Sequence, residues 1–194
     1  MSYPVGVPST QKDDARLTNL LAAVALGLAD GLQAMGAELG GLDAGAATAL
    51  VALLDFSPSG SLRRLSMILG LTHSGTVRLV DRLVLAGLAE RRAGSDERSR
   101  AVVLTKKGRI KGLAVRALRQ SRTEMLLEGL SQRQREELSR ACEVMIGNLT
   151  RHRLAERESG SAPAGGALCR LCDFVACGRS SGRCPAFAVA ASRS

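Results

Sequence analysis

Apolar residues recur at helical spacing along most of this chain, and glycines separate the helices that the spacing predicts. In the segment Ser61–Leu69 the apolar positions fall at i, i+3, i+6 and i+7, which predicts a short amphipathic helix that Gly70 ends. A second helix is predicted over His73–Ala86, because the hydroxyl of Thr72 can cap its first turn. The apolar residues expected on its inner face are Val77, Val80, Leu83 and Val84.

The pattern changes after Gly87, where two short runs flank a polar loop. The runs are Leu88–Arg92 and Arg100–Leu104, and the loop between them, Ala93–Ser99, contains glycine and aspartate. This layout predicts a β-hairpin. Two helices joined by a tight turn and followed by a hairpin make a winged helix-turn-helix, so the predicted fold class is mainly α with a small β-hairpin wing (α+β).

Four further helices are predicted around this unit. They are Leu17–Leu39, Ala44–Leu54, a helix from Lys106 to about Leu127, and a helix that Ser131 caps and that runs to about Ala155. The first of them carries no charge over Leu17–Ala29, so we expect much of it to be buried. The last carries one apolar stripe, formed by Leu138, Cys142, Met145, Ile146 and Leu149.

These elements divide the chain into four parts. Residues 1–16 are expected to be a disordered lead, and residues 17–155 to form one domain. Within that domain the winged helix-turn-helix spans about 44–105, and the helices at about 17–39 and 106–155 flank it. Residues 156–167 are rich in Gly, Ser and Pro and predict a flexible linker, and residues 168–194 form a cysteine-rich tail.

Positive charge is concentrated in the predicted winged helix. The chain has a formal net charge of +9, and residues 61–122 alone hold fifteen Lys and Arg against four acids. Such a field favours a polyanionic partner, because Lys and Arg neutralise phosphates. The chain has two histidines and shows no Ser/His/Asp set, phosphate-binding loop or spaced carboxylate pair, so we expect no enzymatic activity. Neither a secretory signal nor an apolar run of about 18–20 residues is recognised, which predicts a cytoplasmic protein without a membrane partner.

The second helix has the composition of a helix that reads the DNA major groove. Short polar side chains in its first turn allow close approach, and arginines further along can bond guanine with two parallel contacts. The predicted wing places arginine where it can enter the minor groove, with Asp96 orienting it. The residues predicted to contact DNA are Thr72, His73, Ser74, Thr76, Val77, Arg78, Arg82, Asp96, Arg98, Ser99 and Arg100.

Taken together, these patterns resemble the MarR family of bacterial transcription regulators. The matching pieces are T-x-x-x-V-x-x-L-V-D-R-L over Thr72–Leu83, G-L-x-x-R-R over Gly87–Arg92, D-x-R-S-R over Asp96–Arg100 and L-T-x-x-G over Leu104–Gly108. The resemblance covers roughly residues 17–153. It implies a homodimer that binds double-stranded DNA at a palindromic operator, acts mostly as a repressor, and is released by a small-molecule or redox effector. It also implies that the helices at about 17–39 and 106–155 are dimerisation helices.

The tail departs from that family pattern because it gathers four of the five cysteines. Their spacing is Cys169-x2-Cys172-x4-Cys177-x6-Cys184. Four thiolates complete the tetrahedral shell of Zn²⁺, and metal binding would supply folding energy to a segment with few apolar residues. The alternative cofactor is a [4Fe-4S] or [2Fe-2S] cluster, since four cysteines with a terminal Cys-Pro also occur in cluster proteins.

Several alternatives remain open at this stage. The four cysteines could stay free thiols or form two disulfides, and a metal site could be purely structural or could sense oxidants or nitric oxide. Cys142, on the stripe of the last helix, is interpreted as a core residue. Other functional hypotheses are a winged-helix adaptor that binds protein, or a redox enzyme that uses the tail.

Overall fold

The computed structural model describes residues 9–58, 60–93, 100–159 and 165–192. In these ranges the chain is largely helical. One short strand lies just before the third helix, and two more lie between the fourth and fifth helices. The helices are α1 (Ser9–Glu38), α2 (Ala44–Val51), α3 (Leu62–Leu69), α4 (His73–Leu85), α5 (Lys106–Met125), α6 (Gln132–Glu158) and α7 (Pro185–Ala191). The strands are β1 (Gly60–Ser61), β2 (Ala89–Ala93) and β3 (Arg100–Leu104). A π-helical turn, Ala52–Phe56, extends α2, and a 3-10 turn, Leu168–Leu171, opens the tail.

Side-chain caps begin several helices, and those of Thr72 and Ser131 lie at the residues that the sequence predicts. The hydroxyl of Thr72 accepts from the Gly75 N–H, and that of Thr105 accepts from the Gly108 N–H. Asp43 caps α2 in the same way, and Ser131 forms a reciprocal capping box with Gln134. At the other end of α3, Gly70 has a φ of 68°, the left-handed conformation that ends a helix at low cost in glycine.

The wing is a three-stranded antiparallel sheet with the order β1-β3-β2 rather than a simple hairpin. Arg91 pairs with Val102 across β2 and β3, and Gly60 pairs with Val102 from the other side. The sequence did not predict β1. At Gly60 an added Cβ would lie 1.7 Å from the Ser57 hydroxyl oxygen, so this short strand requires glycine.

The core lies where the wing, α2, α3 and α4 meet. Leu50, Leu65, Val80 and Val102 are each 0% exposed there. A second, smaller cluster joins α1, α2 and α5 through residues that include Met35 and Val115. The helix-turn-helix is therefore held from behind by α2.

Two of the predicted boundaries are wrong. Helix α1 begins at Ser9, so residues 9–16 are helical rather than a disordered lead. Helix α6 runs to Glu158, and Gly166 and Ala167 pack against the helix-turn-helix, so the predicted linker 156–167 is structured at both ends. Residues 160–164 lie outside the described residues.

The expected burial of α1 is wrong within a single chain, and the apolar stripe of α6 is also largely uncovered. On α1, Leu17 is 63% and Val24 51% exposed. On α6, Leu138 and Leu149 of the predicted stripe are 39% and 52% exposed, and only Gly147 and Thr150 are buried. The sequence predicted these apolar faces correctly, but nothing in the described part of this chain covers them.

Helix α1 also changes what the sequence indicated about membranes. By length and composition, the segment Asp13–Met35 is long and apolar enough to cross a bilayer, in contrast to the expectation that no such run exists. It contains Asp30 and Arg16, and its C-terminal part packs on the protein through Met35 and Leu32. The guanidinium of Arg122 donates to the Gly31 carbonyl oxygen at 2.7 Å, which fixes this part of α1 to α5.

Candidate DNA-binding surface and cysteine tail

The exposed face of α4 is the center of the candidate DNA-binding surface. Leu79, Val80 and Leu83 point into the core, which turns the opposite face of the helix to solvent. Thr72, His73, Ser74, Arg78 and Arg82, all predicted DNA contacts, are exposed there. Val77 is half-buried at the edge of this face.

Thr76 is a correction to the predicted set of DNA contacts. Its side chain is 0% exposed, and its hydroxyl donates to the Thr72 carbonyl oxygen at 3.0 Å. The inner stripe of α4 is consequently formed by Thr76, Leu79, Val80 and Leu83, whereas Val84, predicted to be internal, is 36% exposed. The hydroxyl of Thr76 serves the helix rather than a base edge.

Two ion pairs fix α4 to its neighbours. Arg82 pairs with Asp43, the cap of α2, and Arg91 of β2 pairs with Asp81 at 2.7 Å. Burial alone would raise the pKa of Asp43, but bonds from the Ala46 N–H and from Arg82 hold it below its usual value. Arg82 therefore also has a structural partner, whereas Arg78 forms no ion pair within the described ranges.

The wing extends beside α4, but its tip, residues 94–99, lies outside the described residues. The predicted contacts Asp96, Arg98 and Ser99 belong to that tip, and only the backbone of Arg100 is described, at the start of β3. Just before the tip, Arg92 bonds Glu90 at 2.8 Å. The side chain of Lys107 reaches back to the Ala86 carbonyl oxygen at 3.1 Å and helps to close the C-terminal end of α4.

Solved structures with this arrangement are numerous, and they include MarR family proteins. A MarR family protein from Bacillus stearothermophilus superposes with a TM-score of 0.64 and 25% identity, over 72% of this chain and 97% of that one. A MarR family protein from Mycobacterium tuberculosis gives a TM-score of 0.53 and 25% identity, over 68% and 95%. The chain has the winged-helix fold of the MarR family.

A third MarR-type structure was determined with nucleic acid. It is a MarR family transcriptional regulator from Listeria monocytogenes in complex with a 26mer DNA, with a TM-score of 0.58, 17% identity, and coverage of 76% of this chain and 97% of that one. No protein-family model matches the sequence, and no curated protein matches it. More than a quarter of this chain lies outside the superposition with the Bacillus protein, although nearly all of that protein is matched.

The cysteine tail is fastened to the MarR-type body at the turn of the helix-turn-helix. The Ala167 N–H donates to the Ile68 carbonyl oxygen at 2.8 Å, and Arg153 of α6 donates to the Gly166 carbonyl oxygen. The two backbones approach so closely that a Cβ on Gly166 would lie 2.1 Å from the oxygen of Ile68. The tail thereby connects the end of α3 with α6.

Further along, the tail is bound to α5 and to the π-helical turn. Arg116 of α5 forms ion pairs with Asp55 at 2.6 Å and with Asp173 of the tail at 3.4 Å. Arg119, one turn later, donates to the carbonyl oxygen of Leu171. A bond from the Ala176 N–H lowers the pKa of Asp173, and the charges of Arg116 and Arg119 lower it further.

All four tail cysteines are brought together by this fold. The thiols of Cys169 and Cys172 interact across the 3-10 turn, and Cys184, 3% exposed at the start of α7, interacts with Cys169 and Cys177. Within the described ranges, no three His, Cys, Asp or Glu side chains are already placed to hold one metal ion. The four thiols therefore lie near one another without forming a coordination shell. Cys142 lies apart on α6 and is half-buried.

Two arginines face the cysteines, and only one of them belongs to the tail. The interaction with Cys169, together with the charges of Arg119 and Arg179, lowers the pKa of the Cys172 thiol. The same contact with Cys172, together with burial, raises the pKa of Cys169. Two other arginines of the tail have different partners, since Arg170 donates to the Ala167 carbonyl oxygen and Arg183 bonds Ser181. Arg119 could not be recognised from the sequence, because it lies 53 positions before Cys172.

Arg179 is held in place by every phenylalanine in the chain. Its guanidinium carbon lies 5.2 Å from the ring center of Phe56, 4.6 Å from that of Phe174 and 4.8 Å from that of Phe187. Phe56 and Phe174 also contact each other edge to face, with centers 5.4 Å apart. Because cation–π contacts favour the charged guanidinium, this cage keeps one positive charge beside the cysteines.

Proposed function

We propose that this protein is a DNA-binding transcription regulator that represses from a palindromic operator as a homodimer in the cytoplasm. The observation that carries the proposal is the solvent-facing side of α4, placed beside the wing in the most basic part of the chain. A helix of this kind fits the major groove, and a wing fits the adjacent minor groove. Similarity in fold to a regulator determined with DNA supports the same function.

Duplexes selected from a random-sequence library provide the test of DNA binding. We expect affinity for the selected duplex to fall steeply with salt, because phosphate contacts release counterions. Arg78→Ala should cost about 1–3 kcal/mol at particular base pairs, and replacing Arg98 and Arg100 together should weaken binding to all sequences. Arg140→Ala, an exposed arginine on α6, is the matched control. Binding that is insensitive to salt and to Arg78→Ala would exclude this surface and favour a protein-binding adaptor.

The homodimer is inferred from the apolar faces that the single chain leaves uncovered. Leu20, Leu21 and Val24 of α1 are 47–51% exposed, and Met125 and Leu126 at the end of α5 are 58% and 51% exposed. A groove of about 810 Å³ lies between these two helices. A second copy covers such a surface by twofold symmetry, since each chain presents the same helices.

The homodimer predicts that one charge in this groove separates the subunits. Val24→Asp, at a residue that lines the groove, should shift the sedimenting species from dimer to monomer in analytical ultracentrifugation, because an unpaired carboxylate would be buried. Val175→Asp changes a tail residue that is 84% exposed and should leave the dimer intact. A wild-type monomer at micromolar concentration would contradict the proposal. Association with lipid vesicles would assign the exposed face of α1 to a membrane.

We further propose that Cys169, Cys172, Cys177 and Cys184 bind Zn²⁺, or alternatively a [4Fe-4S] or [2Fe-2S] cluster. The donor set fits: the four thiols interact, and Arg119 and Arg179 lie close enough to offset thiolate charge. A zinc ion would supply structural cross-linking, and a cluster would add redox chemistry. Since the sulfurs are not yet arranged as a shell, metal binding would order the tail further.

Metal analysis and an absorption spectrum of anaerobically purified protein distinguish these possibilities. One zinc per chain in colourless protein supports zinc, whereas iron, sulfide and a brown colour support a cluster. Cys172→Ser should lower the metal content, while Cys142→Ser, the matched control on α6, should not. Full-length protein that contains neither zinc nor iron would overturn the metal proposal without affecting the DNA-binding proposal.

A sensing role is favoured over a purely structural one by where the tail is attached. Gly165 and Gly166, which lead directly into the tail, contact the turn between α3 and α4, so loss of metal or oxidation of the thiolates would release a contact of the DNA-reading unit. The effector, an oxidant or a small molecule, would then act on DNA affinity through this contact. Comparing the affinities of metal-loaded and metal-free protein for one selected duplex tests the coupling, and equal affinities would contradict it.

A further inference from the structure

A cavity of about 170 Å³ lies between α6 and the tail, away from both α4 and the groove of α1. Its apolar wall includes Phe56, Leu154 and Phe187. Three arginines also line it, Arg153 and Arg157 from successive turns of α6 and Arg179 from the tail. An engineered apolar cavity of about 150 Å³ binds benzene, so this space is large enough for a body of about six carbon atoms.

The charge of this cavity is not balanced by the residues that line it. No carboxylate lines it, and within the described ranges none of its three arginines forms an ion pair. Arg153 donates to a neutral carbonyl oxygen, that of Gly166, and Arg179 contacts neutral rings. Arg170 lies near Arg153 and adds to the same positive region. Like charges around a partly enclosed space raise its affinity for an anion.

Of the three arginines that line the cavity, Arg157 has the fewest contacts with other described residues. It is exposed, and no hydrogen bond or ion pair of its guanidinium is found within the described ranges. Because it lines the cavity from the last turn of α6, its donors are free for a ligand in a way that those of Arg153 are not. A planar guanidinium binds a carboxylate with two parallel hydrogen bonds.

We propose that this cavity binds a small organic anion, a carboxylate with an apolar body of about six carbon atoms, with Arg157 and Arg153 bonding the carboxylate. The apolar body would lie against Phe187 and Leu154. Such a ligand would bridge α6 and the tail and sit beside Cys169, which also borders the cavity. The site is distinct from the DNA-binding surface and shares only Cys169 with the four-cysteine set, so ligand binding can be measured separately from DNA affinity and from metal content.

Isothermal titration calorimetry with cyclohexanecarboxylate tests the proposal on the full-length protein as purified. We expect saturable binding with one site per chain, and no detectable binding of the uncharged cyclohexanecarboxamide or of the cation cyclohexylamine. Arg157→Gln should weaken binding about 10- to 100-fold, the range for loss of a charge-assisted hydrogen bond. Arg140→Gln, on the same helix but away from the cavity, should leave the affinity unchanged.

A second variant tests the apolar part of the site without changing its charge. Ala190 lines the cavity from α7, and Ala190→Phe would fill the space and should abolish binding. The proposal is overturned if cyclohexanecarboxylate does not bind at about 10 mM, ten times the Kd of about 1 mM that corresponds to a binding free energy of about −4 kcal/mol, or if amide and carboxylate bind equally. It is also overturned if neither Arg157→Gln nor Ala190→Phe changes the affinity. None of these results bears on operator binding or metal content.

Discussion

Replacing Gly166 by alanine would place one methyl group where the tail crosses the helix-turn-helix. A Cβ at this position would lie 2.1 Å from the oxygen of Ile68, 2.5 Å from the carbonyl carbon of Leu69 and 2.7 Å from the nitrogen of Gly70. All three are backbone atoms, so none can turn aside as the end of a flexible side chain would. Gly166→Ala should therefore move the tail away from the turn.

The expected cost follows from the two hydrogen bonds that this movement breaks. The bond from the Ala167 N–H to Ile68 joins neutral groups and contributes about 0.5–1.5 kcal/mol, and the bond from Arg153 to the Gly166 oxygen involves a charge and contributes about 1.5–3 kcal/mol. Together they amount to about 2–4.5 kcal/mol, so the docked tail should become roughly 30- to 2,000-fold less populated relative to the undocked one.

Hydrogen exchange followed by mass spectrometry measures this effect directly. Peptides from residues 165–184 should lose protection in Gly166→Ala, while peptides from α2 should keep theirs, because local opening leaves the main core closed. Gly147→Ala is the matched control, since a Cβ there meets only ordinary contacts at 3.8 Å in the interface between α6 and α7. Unchanged protection of the tail in Gly166→Ala would refute the close crossing on which the sensing proposal depends.

Three further predictions concern the wing, the cysteines and the cage. Gly108→Ala would place a Cβ 1.8 Å from the Leu88 oxygen, and overpacking of about 1–3 kcal/mol should lower Tm by about 2–12 °C in a thermal scan. In metal-free protein, the contact with Cys169 and the nearby arginines lower the pKa of Cys172 to about 6, so this thiol is ionised at pH 7. It should therefore be alkylated by iodoacetamide well before a cysteine of ordinary pKa. Mapping the adducts between pH 5 and 9 should show that the reactivity of Cys172 falls only below about pH 6. Arg179→Gln removes three cation–π contacts and should destabilise the tail by on the order of 1–3 kcal/mol, measured by urea unfolding, and should raise the pH at which Cys172 reacts.

What the sequence predicted well depends on interactions between neighbours in the chain. The cap at Thr72, the end of α3 at Gly70 and the capping box at Ser131 each need only three or four consecutive residues, and all three are confirmed. The orientation of α4, meaning which of its residues face the core, was harder to predict, because Thr76 and Val77 are adjacent and both lie near the edge of its apolar stripe. The fully buried position goes to threonine, since its hydroxyl bonds the helix itself at 3.0 Å and so costs little to bury.

The features that the sequence did not predict depend on distant parts of the chain. Strand β1 has two residues and exists because Gly60 pairs with Val102, 42 positions away. The approach of Arg119 to Cys172 likewise requires α5 and the tail to be docked. The exposed face of α1 shows the converse limit, since an apolar pattern predicts that a face will be covered but not whether the same chain covers it.

The attachment of the tail imposes a thermodynamic relation between its two proposed ligands. If metal binding to the four cysteines favours one position of Gly166 against Gly70, and DNA binding favours the same position of the helix-turn-helix, each ligand must strengthen the other by the same factor. The sign of the coupling therefore appears both in the effect of metal on DNA affinity and in the effect of DNA on metal binding. A duplex that slows loss of zinc or iron to a chelator implies that metal promotes operator binding, and a duplex that accelerates the loss implies that metal opposes it. Because α3 ends at Gly70 and α4 begins three residues later, a displacement at this crossing lies close to the first turn of the helix proposed to read DNA.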